Sequence, residues 1–243
     1  MRSIFKIHPL TYIILLIAFL TGNFKDIILF MSIILVHELG HIISAIIFKW
    51  KIEKIVILPF GGITIFNEIL NKPLIEEFII AIMGPLFQII FTFIFNLKVI
   101  QDYSFIILII NLIPIYPLDG AKLLNIFLNK IFSFKLSHKI TNYLSFFLAL
   151  FLMFMSVLSF ELIYILFTFL IILKVKEELK NHTLIYEKFL YERYIYNLKF
   201  KKVKIVKNVN KFYRDYYHYI KDNNKLIEEE QYLKIKYDSR NNF

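Results

Sequence analysis

The chain has 243 residues, of which 58% are hydrophobic and 20% charged, with no cysteine and a formal net charge of +10. Soluble domains run at about 45–50% apolar and about 25% charged, so an ordinary water-soluble fold is excluded. The absence of cysteine also excludes a disulfide scaffold and any thiolate metal site.

Six apolar runs follow one another, at residues 7–21, 27–48, 74–96, 105–116, 143–158 and 162–173. A helix crosses a bilayer with about 20 apolar residues. The second and third runs meet that length, whereas the first, fourth and sixth lean on flanking residues or on burial among neighbours. The expected fold is an all-α polytopic membrane protein with about six transmembrane helices, its transmembrane domain covering residues 1–175. Met1-Arg2 through Lys6 ahead of the first run has the layout of a signal peptide. It lacks a small-x-small cleavage site and precedes further spans, so it reads as a retained first helix. Lysine and arginine set the orientation: two precede the first run, four fall in 49–72 and four in 122–139, against Lys25 and Lys98 in the opposite loops. Both termini are therefore expected in the cytoplasm.

The second run carries His37-Glu38-Leu39-Gly40-His41. Residues four apart share a helix face, so both imidazoles can reach one Zn²⁺ while Glu38, beside them, handles a proton. Glu38 is the single formal charge between residues 27 and 48. A carboxylate at mid-span costs about 2.5–3.5 kcal/mol on insertion scales and marks function by default. The bland alternative is a buried histidine pair beside a protonated glutamate. Residues 55–67, with Val56, Ile57, Ile63, Thr64 and Ile65 around Gly61-Gly62, read either as a short membrane-associated hairpin or as a plain turn. Glu76 and Glu77 follow Pro73 and suit the N-terminus of a helix.

Two histidines leave a metal short of ligands. The acid best placed to reach the same depth is Asp119, in Asn111-Leu-Ile-Pro114-Ile-Tyr-Pro117-Leu-Asp119-Gly120, because two prolines there interrupt an apolar run and broken helices at membrane depth line cavities. Its alternative is an Asp-Gly turn at the cytoplasmic surface.

Residues 176–243 form a basic, tyrosine-rich tail with 16 Lys/Arg against 10 Asp/Glu. No glycine or proline follows Gly120, and no alternation of strands and helices is visible. The stretch 199–221 mixes lysine with aromatics, which suits an anionic lipid surface or a protein partner better than nucleic acid. His138, His182 and His218 read as solvated or interfacial, and His8 before Pro9 has no acid nearby to make a site.

On these residues the chain resembles the site-2-protease family of intramembrane zinc metalloproteases. The likeness rests on the HExxH of an early span and the Asn-x-x-Pro-x-x-Pro-x-Asp-Gly of a later one. Pro59-Phe60-Gly61-Gly62 and Gly84-Pro85 are similar further elements. It covers about residues 1–175, and size and order look most like the sporulation branch, which removes the pro-sequence of a sporulation sigma factor. The resemblance implies that His37, His41 and Asp119 hold Zn²⁺ with water in the fourth position and that Glu38 is the general base. It gives Asn111 a substrate-positioning role. The hairpin at Gly61 and Gly62 would pair with an opened substrate strand. Partners implied are a membrane-associated protein substrate and inhibitory membrane proteins. Relatives in that branch carry a nucleotide-sensing domain after the last span, a pattern the tail does not display. Gly120-Ala121 also stands where many relatives have two glycines. The competing class is a membrane transporter moving cations through His37, Glu38, His41 and Asp119. Against it, no internal repeat is present, and a glutamate between i,i+4 histidines is what hydrolysis needs.

Overall fold

A computed structural model describes residues 5–7, 9–22, 24–58, 61–66, 70–196, 198–222 and 225–238; Met1, Arg2, His8, Pro59, Phe60 and Asn67 of the sequence reading lie outside them. The contacts divide the chain into two compact units, Met1–Glu68 with Glu76–Ile113, and Ile69–Ile75 with Pro114–Phe243.

The first unit begins with a short strand β1 (Phe5–Ile7) and helix α1 (Pro9–Thr21), then α2 (Phe24–Ile47), strands β2 (Ile52–Leu58) and β3 (Gly61–Phe66), α3 (Leu74–Phe95) and α4 (Lys98–Leu112). Helix α2 ends where Lys49 takes a left-handed conformation (φ 57°). Trp50 N–H then reaches back to Ala45 O at 2.8 Å, satisfying a terminal carbonyl. The Trp50 indole donates to Glu76 Oε2 at 2.8 Å, which ties the end of α2 to the first turn of α3. Where the two helices meet there is no room for a side chain: a Cβ on Gly40 would lie 2.3 Å from Met83 O and 2.9 Å from Gly84 Cα. Small residues at a membrane helix interface permit this backbone approach. Ile33 and Ile34 of α2 pack with Ile100 and Ile107 of α4 in a buried apolar cluster.

Strands β2 and β3 pair antiparallel, with Ile55 opposite Thr64 and Ile57 opposite Gly62. The hairpin reading of 55–67 therefore prevails over the plain turn across the described residues. β1 joins as a parallel third strand, giving the order β1-β2-β3.

The second unit contains residues 70–73, α5 (Asp119–Ile131), α6 (Phe134–Leu158), α7 (Leu162–Tyr196), β4 (Lys202–Val206), β5 (Tyr216–Asp222), β6 (Lys225–Glu228) and α8 (Glu229–Asp238). Helix α7 is 35 residues long, about 52 Å at 1.5 Å per residue, so the change of composition at residue 175 falls in mid-helix.

The tail departs from the sequence reading. Its strands form a second three-stranded sheet of order β4-β5-β6, with β4 parallel to β5 and β5 antiparallel to β6. The fold is mostly helical but not all-α. The alternation was hidden because tyrosine, lysine and histidine occupy strand positions, so period two does not appear as apolar against polar. The turn before β5 uses Asp215 at φ 60° in place of a glycine. Phe134, Tyr186, Phe189, Leu190, Val206, Phe212, Ile220 and Leu233 make the core beneath this sheet. His138 and His218 are buried, against the expectation of solvated or interfacial rings, while His182 is half-buried. Among the described residues three helices, α2, α3 and α6, are long and apolar enough to cross a membrane.

Candidate metal centre

Helix α2 presents His37, Glu38 and His41 on its buried side, at 2%, 6% and 4% exposure. Their ligand atoms all lie within 4.8 Å of one another, the one such group of histidine and acid side chains among the described residues. The i,i+4 spacing brings the imidazoles to a centroid separation of 4.9 Å. The two Nε2 atoms are 3.2 Å apart.

The outer nitrogens fix what the inner ones can do. His41 Nδ1 lies 2.7 Å from Ile80 O, and a carbonyl only accepts, so Nδ1 carries the proton. His37 Nδ1 lies 2.8 Å from Gln88 Oε1. With Nδ1 as the donor on each ring, Nε2 is the nitrogen left on each imidazole to offer a lone pair, and the two face each other. Two convergent Nε2 atoms beside a carboxylate, each ring aimed through its Nδ1, are a donor set that fits a metal. Gly84 of α3 forms the opposite wall: a Cβ there would meet His41 Nε2 at 2.3 Å and His37 Nε2 at 2.8 Å. The space in front of the nitrogens exists because residue 84 has no side chain.

Glu38 accepts a 2.7 Å hydrogen bond at Oε2 from the hydroxyl of Thr64 on β3. The strand thus holds the acid that a desolvated site would otherwise leave to rotate. Thr64 was read from sequence only as a hairpin residue, and a lone hydroxyl gives no signal of such a partner. Gln88 was missed altogether, although an amide within the apolar run 74–96 is itself a polar group at membrane depth.

Gly61 and Gly62 lie in β3, paired with Leu58 and Ile57, and β3 is one of the two outer strands of its sheet. Asn111 is half-buried in the last turn of α4. That helix stops at Ile113, since a residue preceding proline avoids the helical region. Asp119 opens α5 in the second unit, where it is 5% exposed and accepts from Lys122 Nζ at 2.9 Å. An acid suits a helix N-terminus. Its burial overturns the surface Asp-Gly turn.

A buried helical HExxH pair, its glutamate braced by a strand, in a chain with membrane-length apolar helices, defines a membrane metalloprotease. Comparison with known proteins agrees: Peptidase family M50 matches residues 26–102 and 96–155, and the chain belongs to that family. It is 36% identical over 203 residues to Stage IV sporulation protein FB of Bacillus subtilis, covering 77% of this chain and 70% of that protein. It is 32% identical over 167 residues to Zinc metalloprotease MJ0392 of Methanocaldococcus jannaschii, covering 63% of this chain and 48% of that one. The solved Site-2 Protease from Methanocaldococcus jannaschii superposes with a TM-score of 0.56 at 27% identity, over 72% of this chain and 89% of that one. The protein is a zinc metalloprotease of the site-2-protease family.

Proposed function

We propose that the protein cleaves a membrane-associated precursor, with His37, His41 and Asp119 as zinc ligands and Glu38 as general base. When bound, zinc acts as a Lewis acid that brings the pKa of coordinated water near 7 and polarises the scissile carbonyl. Glu38 takes the proton of the attacking water at its carboxylate and returns it to the leaving amine. Thr64 keeps that carboxylate aimed. Asn111 positions substrate, and the outer edge of β3 at Gly61 and Gly62 receives the opened substrate as an added strand.

The observation that carries this reading is the pair of Nε2 atoms 3.2 Å apart, both outer nitrogens being held by carbonyl oxygens. The likeness to a stage IV sporulation protein supports a sporulation role, with a sigma-factor pro-sequence as the substrate. About six spans with both termini cytoplasmic, inhibitory membrane partners and an anionic lipid surface for the tail complete the proposal.

The test is co-expression with a sigma factor bearing its pro-sequence. Glu38→Gln keeps the shape and loses the base, so the expected result is uncleaved precursor with zinc retained. Cleavage by Glu38→Gln at the parent rate would contradict the mechanism, and loss of cation flux from vesicles instead would favour a transporter.

A further inference from the structure

Gln88, on α3, is fully buried. Its amide nitrogen donates to Ser104 O at 2.7 Å and to Ser104 Oγ at 3.0 Å. A backbone carbonyl cannot donate, so the amide orientation is settled: Nε2 faces α4 and Oε1 faces His37. The Thr92 hydroxyl, also on α3, reaches Ser104 Oγ at 2.7 Å and completes the set. Direction then propagates inward. Oε1 is an acceptor, so His37 must donate from Nδ1, which leaves Nε2 as the nitrogen that can face a metal. We infer that Gln88 is a positioning residue of the metal centre, which sets the tautomer and ring plane of His37 through Oε1 while Ser104 fixes the amide. The inference rests on the proposed role of His37 as a ligand.

His37 and His41 are oriented by different means. His41 is aimed by the main chain of α3 through Ile80 O, which no side-chain substitution removes. His37 depends on a side chain, so its aim is open to mutation. An amide in this position gives direction without adding a buried negative charge. A carboxylate there would accept the same proton but could not donate to Ser104 O. That difference separates an orienting role from a merely structural tie between α3 and α4. Gln88→Met and Gln88→Glu both lose the donor to Ser104 O, yet only Gln88→Glu keeps an acceptor for His37.

The experiment is zinc affinity of the purified full-length protein in detergent, measured by competition with a chromogenic chelator. Loss of such an outer partner weakens metal binding by about 10–100-fold, and that loss is expected for Gln88→Met. Gln88→Glu is expected closer to the parent than to Gln88→Met. Equal affinity of Gln88→Met and parent would overturn the inference, as would equal weakening in both variants. If Gln88→Met does not fold, Gln88→Glu decides alone: affinity as poor as that of His37→Ala would overturn it. A parent protein that binds no zinc would instead remove the ligand assignment on which the inference stands.

Discussion

Glu38 and the two histidines are held by contacts of different strength, and substitutions should separate them. Thr64→Val is nearly isosteric but removes the hydroxyl that donates to Glu38 Oε2. A hydrogen bond to a charged group contributes about 1.5–3 kcal/mol. If the bond aims the base in the transition state, kcat falls about ten- to hundredfold. Thr64→Ser should recover most of that loss, and KM and zinc content should stay near the parent values in a peptide-cleavage assay. Gly84→Ala acts at the histidine pair instead. Its Cβ would lie 2.3 Å from His41 Nε2 and 2.8 Å from His37 Nε2. Zinc content by elemental analysis should fall sharply in that variant, and activity with it. Normal zinc in Gly84→Ala would show that the imidazoles have another place to go.

Among the elements, the strand β3 and the short segment before α3 matter most beyond α2. Asn71 is held within the second unit through three bonds: its amide donates to Phe189 O and Glu192 Oε2, and its oxygen accepts from Arg193 Nε at 2.7 Å. Leu70 N–H adds a 2.7 Å bond to the same Glu192. Burial raises the Glu192 pKa even though Asn71 and Leu70 act to lower it. Asn71→Ala strips partners from a buried guanidinium and a buried carboxylate, at a cost of about 1–3 kcal/mol. Faster hydrogen exchange in residues 70–73 and the adjoining part of α7 is expected, and unchanged exchange would contradict the assignment. The sequence announced α2 clearly because two histidines and a glutamate at HExxH spacing on one helix are a local pattern. The elements that orient them are remote: Gln88 is 51 residues from His37, and Thr64 is 26 from Glu38. Pairings at that separation leave no periodicity to read. The hairpin itself was legible from β-branched residues around two glycines, whereas β1, three residues long, was not.

Across the whole molecule, the tail sheet is organised by a buried ionic cluster. Arg193 of α7 donates to Glu229 Oε1 at 2.8 Å, to Tyr216 O and to Tyr213 O. His218 Nδ1–H donates to Glu229 Oε2 at 2.7 Å, and its Nε2 accepts from Tyr213 N–H at 2.9 Å, so the ring is neutral. Burial lowers the pKa of His218, opposed by its bond to Glu229. Burial raises that of Glu229, but His218 and Arg193 outweigh it and leave the carboxyl below its usual range. Both shifts act in one direction with pH. The unfolded chain takes up protons at His218 below about pH 6.5 and at Glu229 near the ordinary carboxylate range, before the folded tail does. The stability these two groups contribute to the tail is therefore full above pH 6.5 and declines as the medium becomes more acidic. Proteolysis of the full-length protein between α7 and α8 should accelerate on acidification from pH 7 to pH 5. Glu229→Gln, which leaves Arg193 buried without its counter-charge, should cost about 3–5 kcal/mol and open the tail already at pH 7. The tail as a folded unit was the least legible part of the chain. Its buried groups are polar, and they are satisfied by one another, so composition alone suggested solvation.

Zinc stoichiometry of the purified full-length chain, by elemental analysis, bears most directly on the account. One zinc per chain is expected in the parent and in Glu38→Gln, with near-complete loss in His37→Ala, His41→Ala and Asp119→Ala. A parent chain free of transition metal, or an Ala variant of either histidine that keeps its full complement, would contradict the metal centre.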